Sequence, residues 1–208
     1  MRERGIRDLA VLRAIEAVPR AGFVAERYAD LALKPIDLPA ERGQSVPEPF
    51  FVARMLVGAR LAAHHRVAVV GVGAGYLTAV LSGLVASVVG FERLPSLVTA
   101  ARSRFDRMGL SNIALICADG LAADHDGLYD RILLVGSVDP LPPRLWASVA
   151  PAGTILYARR DATGPRPGDQ VLVRGERQTD GILRQVVLGP ARLAPLRPGV
   201  VAASGVQP

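Results

Sequence analysis

Between Val67 and Glu92 the chain reads VAVVGVGAGYLTAVLSGLVASVVGFE, and few architectures accept such a stretch. β-Branched Val67, Val69 and Val70 run into Gly71, Gly73 and Gly75. Leu- and Ala-rich sequence follows, then a second Val-rich run from Val88 to Phe91. This change of composition predicts strand, helix, strand. Glycines between a strand and a helix let backbone N–H groups approach a ligand at the helix N-terminus, where those donors lack intrahelical partners. Glu92, closing the second strand, falls beside the glycine turn, where its carboxylate can accept from the two hydroxyls of a ribose. The unit is suited to a nucleoside.

The glycine spacing narrows the choice. A dinucleotide fingerprint, GxGxxG, needs a small residue at its sixth place for close helix packing and a pyrophosphate on the helix end. Here the pattern is GxGxG and Tyr76 holds the sixth place, which suits S-adenosylmethionine (SAM) better than NAD. A membrane span is the competing reading, because Val67 to Phe91 carries no charge and ~20 apolar residues cross a bilayer. The clustered glycines, polar Thr78, Ser82 and Ser87, and the alternation of residue types favour the soluble unit. The opening MRERGIRDLAVL lacks a signal-peptide pattern.

The 208 residues suffice for one full α/β domain and are short for two. Cys117 is the only cysteine, which rules out a disulfide framework and a cysteine-based metal site and fits a reducing cytoplasm. His64, His65 and His125 have no metal-ligand spacing, so no metal is expected. The formal charge of +6 arises mainly after residue 158, where eight Arg face four acids. No basic stripe with interleaved aromatics accompanies it, so neither nucleic acid nor membrane is expected as a partner, and no oligomeric state follows from the charge.

Apolar spacing predicts an amphipathic helix over Ile6 to Val18, a second helix over Ala25 to Leu33, a proline-rich loop from Lys34 to Pro49, and a helix from Phe50 to Arg60. Alternation then follows: strand 67–71, helix 75–86, strand 88–92, helix 95–108, strands 113–117 and 132–136, helix 142–149, strand 153–158. That order implies an α/β fold with a doubly wound, mostly parallel sheet. Val171–Arg174 and Leu183–Leu188, joined through Thr179-Asp180-Gly181, predict a C-terminal hairpin with at least one antiparallel strand. One domain is expected: N-terminal helices and loop to residue 60, a nucleoside-binding core over 61–158, a hairpin region over 159–200, and a tail over 201–208 that lacks any pattern.

IRDLAVLRAIEAVPRAGFV, LPAERGQSVPEPFFVARML, VVGVGAGY, VVGFER, the ADG of 118–120, YDRILLVGSVDPLPPRL and LAPLRPG together resemble the protein-L-isoaspartate O-methyltransferases, in that family's order over nearly the whole chain. The resemblance implies a Rossmann-like SAM-dependent methyltransferase fold with N-terminal helical additions. The implied reaction is methyl transfer to the α-carboxylate of L-isoaspartyl residues in damaged proteins, the implied partners. By the same resemblance Gly71, Gly73 and Gly75 match the glycine loop against SAM, and Glu92 matches the ribose acid. Asp119 and Gly120 match the pair at adenine. An acid followed by Gly at a strand's C-terminal end also belongs, independently, in the ligand crevice of an open sheet.

Three positions depart from the family. Where its loop reads close to GQTISQP, this chain has Gly43, Gln44, Ser45, Val46, Pro47, Glu48 and Pro49. Pro47 stands in place of the acceptor-site Ser and offers neither hydroxyl nor N–H. Glu48 replaces a neutral Gln, and a second carboxylate at about 4 Å would oppose an anionic acceptor by up to about 4 kcal/mol at an effective dielectric of roughly 20. Ser45, matching a family Thr, is the remaining candidate hydroxyl for catalysis. Val69 occupies a position where related methyltransferases carry an acid. The expectation is therefore SAM-dependent isoaspartyl methylation with reduced activity. The alternatives are a divergent paralogue that binds SAM or S-adenosylhomocysteine without that reaction, or one that methylates a different acceptor. The motif Asp139-Pro140-Leu141-Pro142-Pro143 superficially resembles that of amino-group methyltransferases but lacks an aromatic to stack a base, and a helix start suits it better.

Overall fold

The computed structural model describes residues 1–123, 127–178 and 181–201. Its larger sheet has seven strands: β3 (Arg66–Val70), β4 (Ser87–Glu92), β5 (Ile113–Cys117), β6 (Tyr129–Ser137), β7 (Val149–Arg160), β8 (Gln170–Arg177) and β9 (Leu183–Ala191), in the order β5-β4-β3-β6-β7-β8-β9. Strands β3 to β7 are parallel; β8 is antiparallel to β7, and β9 to β8. This is the doubly wound sheet with a C-terminal hairpin that the alternation implies. From β3 the chain builds outward in one direction through β4 and β5, and in the other through β6 and β7. A crevice therefore opens at the carboxyl ends of β3 and β6, where the winding reverses.

The pleat explains the near-continuous apolar sequence of β3. Val67 and Val69 face a core shared with α1 (Leu9–Ala17), α2 (Pro49–Gly58), α3 (Tyr76–Ser82) and α4 (Pro95–Arg107). Ala68 and Val70 face a second core with Ile132, Leu134, Tyr157 and Leu145 of α5 (Pro143–Ala147). A parallel strand covered on both faces has no polar side to show. The uncharged run 67–91 is accordingly strand, helix and strand, and among the described residues no helix is long and apolar enough to cross a membrane.

Several expected boundaries move. Helix α1 begins only at Leu9, because the Asp8 carboxylate caps it by accepting from Val11 N at 3.1 Å. The expected helix over 25–33 is instead a 3-10 turn, Glu26–Leu31. The segment 34–49, expected to be loop throughout, contains a short antiparallel ladder of β1 (Leu38–Pro39) on β2 (Ser45–Val46), with Leu38 opposite Val46. Helix α3 stops at Ser82 before Gly83, four residues short of the expected end, and α5 gives way at Val149 to a β7 that starts earlier than the apolar pattern suggests. Pro143 occupies the first turn of α5, as a helix start requires. In the hairpin, Gly181 N donates to Gln178 O; Thr179 and Asp180 of the expected turn lie outside the described residues, as do His125 and all of the tail beyond Val201.

Candidate functional site

A cleft of about 360 Å3 sits at the carboxyl ends of the parallel strands. Three parts of the chain meet there: Val70, Gly71, Phe91 to Leu94 and Ala118 to Leu121 from the strand ends, Gly43, Gln44, Ser45 and Pro47 from the β1–β2 hairpin, and Leu193 to Arg197 beyond β9. Its volume falls within the roughly 300–1,000 Å3 of small-molecule sites.

Glu92 ends β4 and is 5% exposed. Its Oε2 accepts from Gly73 N at 2.8 Å and its Oε1 from Leu94 N at 3.0 Å. Each carboxylate oxygen keeps a second lone pair for a ligand. Asp119, just past β5, accepts from Leu121 N through Oδ1 at 2.9 Å and from Gly199 N through Oδ2 at 2.7 Å. Gly120 lies where a Cβ would stand 2.8 Å from both Phe91 Cβ and Val70 Cγ1, so the cleft floor closes only over a residue without a side chain.

The glycine turn differs from its expected use. The amide of Gly71 donates to Phe91 O, that of Gly73 to Glu92, and that of Gly75 to Val72 O, so all three are satisfied internally rather than left for a ligand. Gly71 lines the cleft, whereas Gly73 and Gly75 are not among its lining residues. All three have positive φ, which explains the residue type. At Gly75 a Cβ would also come within 2.8 Å of the Phe105 ring, so this glycine seats α3 on α4. At Gly71 the space of the missing side chain is filled by Leu196, whose Cδ2 would lie 2.8 Å from a Cβ there.

Leu196 belongs to a segment that only the tertiary structure brings into the site. Ser137 N donates to Ala194 O and Leu196 N to Ser137 O, extending β6 by a short parallel bridge across the crevice. Arg93 Nε donates to Gly199 O at 2.7 Å, and Val201 N to Arg93 O. This segment, together with Phe91, Arg93 and Val135, was not foreseen as lining; in the sequence its one signal is the LAPLRPG block, which carries no chemistry by itself.

On the hairpin side of the cleft, Ser45 is exposed and Pro47 buried, and both belong to the lining. Glu48 does not. It forms part of a separate depression with Asp37, Phe51 and Arg54, and its carboxylate receives a two-pronged contact from Arg4, at 3.2 Å on each oxygen. Arg4 in turn lies over the Phe50 ring, 3.5 Å from its centroid. The repulsion expected from Glu48 is thus relieved by a neutralising partner and by its direction. Val69 is fully buried in the core, where an acid would be desolvated without a partner. Among the described residues no cluster of His, Cys, Asp and Glu has the makings of a metal site.

Residues 1–199 match the family model described as Protein-L-isoaspartate(D-aspartate) O-methyltransferase (PCMT). The chain belongs to this family. It is 38% identical over 201 residues to Protein-L-isoaspartate O-methyltransferase 2 of Rhodopseudomonas palustris strain HaA2, covering 96% of this chain and 90% of that one. It is 37% identical over 194 residues to Protein-L-isoaspartate O-methyltransferase 1 of Geotalea uraniireducens strain Rf4, covering 93% and 87%. Among solved structures it resembles, with a TM-score of 0.79 and 94% of each chain covered, a Plasmodium falciparum protein described as a protein-L-isoaspartate O-methyltransferase in complex with S-adenosyl-L-homocysteine. At 21% identity that likeness speaks for the fold.

Proposed function

We propose that this member of the PCMT family transfers the methyl group of SAM to the α-carboxylate of L-isoaspartyl residues in proteins and peptides, in the cytoplasm and without a nucleic-acid or membrane partner. The observation that carries the reading is the meeting of two sets of residues in one cleft: the acids and glycines at the strand ends, and the hairpin of Gly43 to Pro47. A donor held by the first set presents its reactive end to an acceptor held against the second.

The residues fit such a donor. Glu92 offers its remaining lone pairs to the ribose hydroxyls, and Asp119 offers its own to the exocyclic amine of adenine. Gly71 and Gly120 line the same cleft, each packed without a side chain against its neighbours, Leu196 beside Gly71 and Phe91 and Val70 beside Gly120. When bound, SAM supplies an activated methyl on a sulfonium leaving group. An acceptor carboxylate is ionised at neutral pH and needs no general base. The protein's task is therefore alignment, exclusion of water and a favourable field around the anion. Ser45 is the hydroxyl on the acceptor side, and the Arg4 contact with Glu48 removes an opposing charge from its neighbourhood.

A second reading rests on Pro47, which lines the cleft where the family carries Ser: the chain binds SAM or S-adenosylhomocysteine but does not methylate isoaspartate, or accepts another carboxylate. Incubation of purified protein with methyl-labelled SAM and an isoaspartyl peptide separates the two. Label in a base-labile ester supports methylation, and calorimetric binding of S-adenosylhomocysteine without any ester supports the second reading.

A further inference from the structure

Arg20 is a charged side chain that the mechanism above does not use, yet it is only 4% exposed. It lies in a 3-10 turn, Arg20–Phe23, after α1. Its Nη1 donates to Ala32 O at 3.1 Å and, more weakly, to Lys34 O at 3.5 Å, while Nη2 donates to Ile36 O at 2.8 Å and Val46 O at 2.7 Å. One guanidinium thus gathers four carbonyls from the two flanks of the β1–β2 hairpin. A Lys ammonium has no planar fork with which to serve them all.

The position of Val46 gives this clamp its meaning. Ser45 and Pro47, on either side, line the cleft, and the Val46 carbonyl between them is drawn inward to Arg20. The side chain of Val46 is buried as well. The clamp is also anchored to the donor side: Phe23 of the same turn packs on Tyr76, ring centroids 5.6 Å apart, and Tyr76 directly follows Gly75 of the glycine turn. Burial pushes the Tyr76 phenol up to about 12, against the opposing effect of Arg20, so it stays neutral beside the guanidinium.

We propose that Arg20 is a positioning residue for methyl transfer, fixing the acceptor hairpin at Ser45 to Pro47 relative to the glycine turn. The proposal rests on the methyltransferase reading for its kinetic consequence, but its structural half is tested separately. The first variant is Arg20→Lys, which keeps the charge and loses the fork; the second is Arg20→Met, which leaves the carbonyls without any donor.

In Arg20→Lys, affinity for S-adenosylhomocysteine stays within about twofold of wild type while KM for an isoaspartyl peptide rises about tenfold, as befits a lost charge-assisted hydrogen bond. Amide exchange over residues 36–46 quickens and that over 67–70 and 88–92 does not; Arg20→Met shows the larger change. Unchanged exchange over 36–46 in both variants overturns the proposal. So does faster exchange over the core strands to the same degree, which assigns Arg20 to general stability, and so does a loosened hairpin with KM unaltered. Should wild type form no ester, the methylation reading fails, and the exchange pattern still decides whether Arg20 holds the hairpin.

Discussion

Replacing Glu92 with Gln separates the bracing contacts this carboxylate makes from the ribose-binding role proposed for it. Both of its oxygens accept backbone N–H groups, from Gly73 at 2.8 Å and Leu94 at 3.0 Å. A carboxamide offers one oxygen and one NH2, so one of the two N–H donors is left facing another donor in a site that is almost wholly buried. Losing a hydrogen bond to a charged group and stranding a donor costs about 1–3 kcal/mol of stability. For a chain of this size each kcal/mol lowers Tm by roughly 2–4 °C. On the proposed assignment the ribose hydroxyls also lose a charged acceptor, a further ~1.5–3 kcal/mol in binding, which corresponds to about 10- to 150-fold in Kd for S-adenosylhomocysteine. The assay is calorimetric titration of Glu92→Gln and wild type under conditions where both are folded, with urea melts alongside. If the melt shifts as expected while affinity remains within about twofold of wild type, Glu92 only braces the glycine turn, and its assignment to the ribose is refuted.

Pro47→Ser returns a hydroxyl and an N–H to the acceptor side of the cleft; kcat/KM for an isoaspartyl peptide rises about tenfold, the equivalent of one hydrogen bond, and steady-state kinetics check it. Gly75→Ala forces a Cβ into a left-handed backbone with φ of 98° and into the Phe105 ring, with a loss of about 2–4 kcal/mol in urea melts. Phe105→Leu in the same chain then restores part of that loss. His65 accepts from Ala62 N through Nδ1, and burial, followed by the neighbouring Arg131, holds its imidazole below the ordinary value of 6.5. The unfolded chain binds the proton first, so the stability this group contributes is complete above pH 6.5 and is lost as pH falls toward the folded value. Melts of wild type at pH 7.5 and 5.5 show a greater fall than those of His65→Asn, which keeps an acceptor without the titration; parallel falls would count against this account.

Much of this molecule was legible in its sequence because the relevant interactions are local or periodic. The valines of β3, the run of α3 and the position of Glu92 at the end of β4 follow from the change of local composition, β-branched to Leu- and Ala-rich and back. Residues placed at consecutive strand ends of a doubly wound sheet necessarily share one edge, so Glu92, Asp119 and Gly120 come together. The composition of 34–49 marked a break in regular structure but concealed the β1–β2 ladder, whose four residues are too few for any period.

What only the tertiary structure decided are contacts between segments far apart in the chain. The room beside Gly71 belongs to Leu196, and Gly199 reaches Asp119 across 80 positions. Arg4 neutralises Glu48 across 44, which relieves the repulsion that the bare substitution implies. Arg20 draws in carbonyls that any residue type would present. Periodicity reports which face of an element is buried. It carries no record of which backbone groups or charges meet across that face, because a carbonyl is the same in every residue and a charge pair depends on direction as much as on sign.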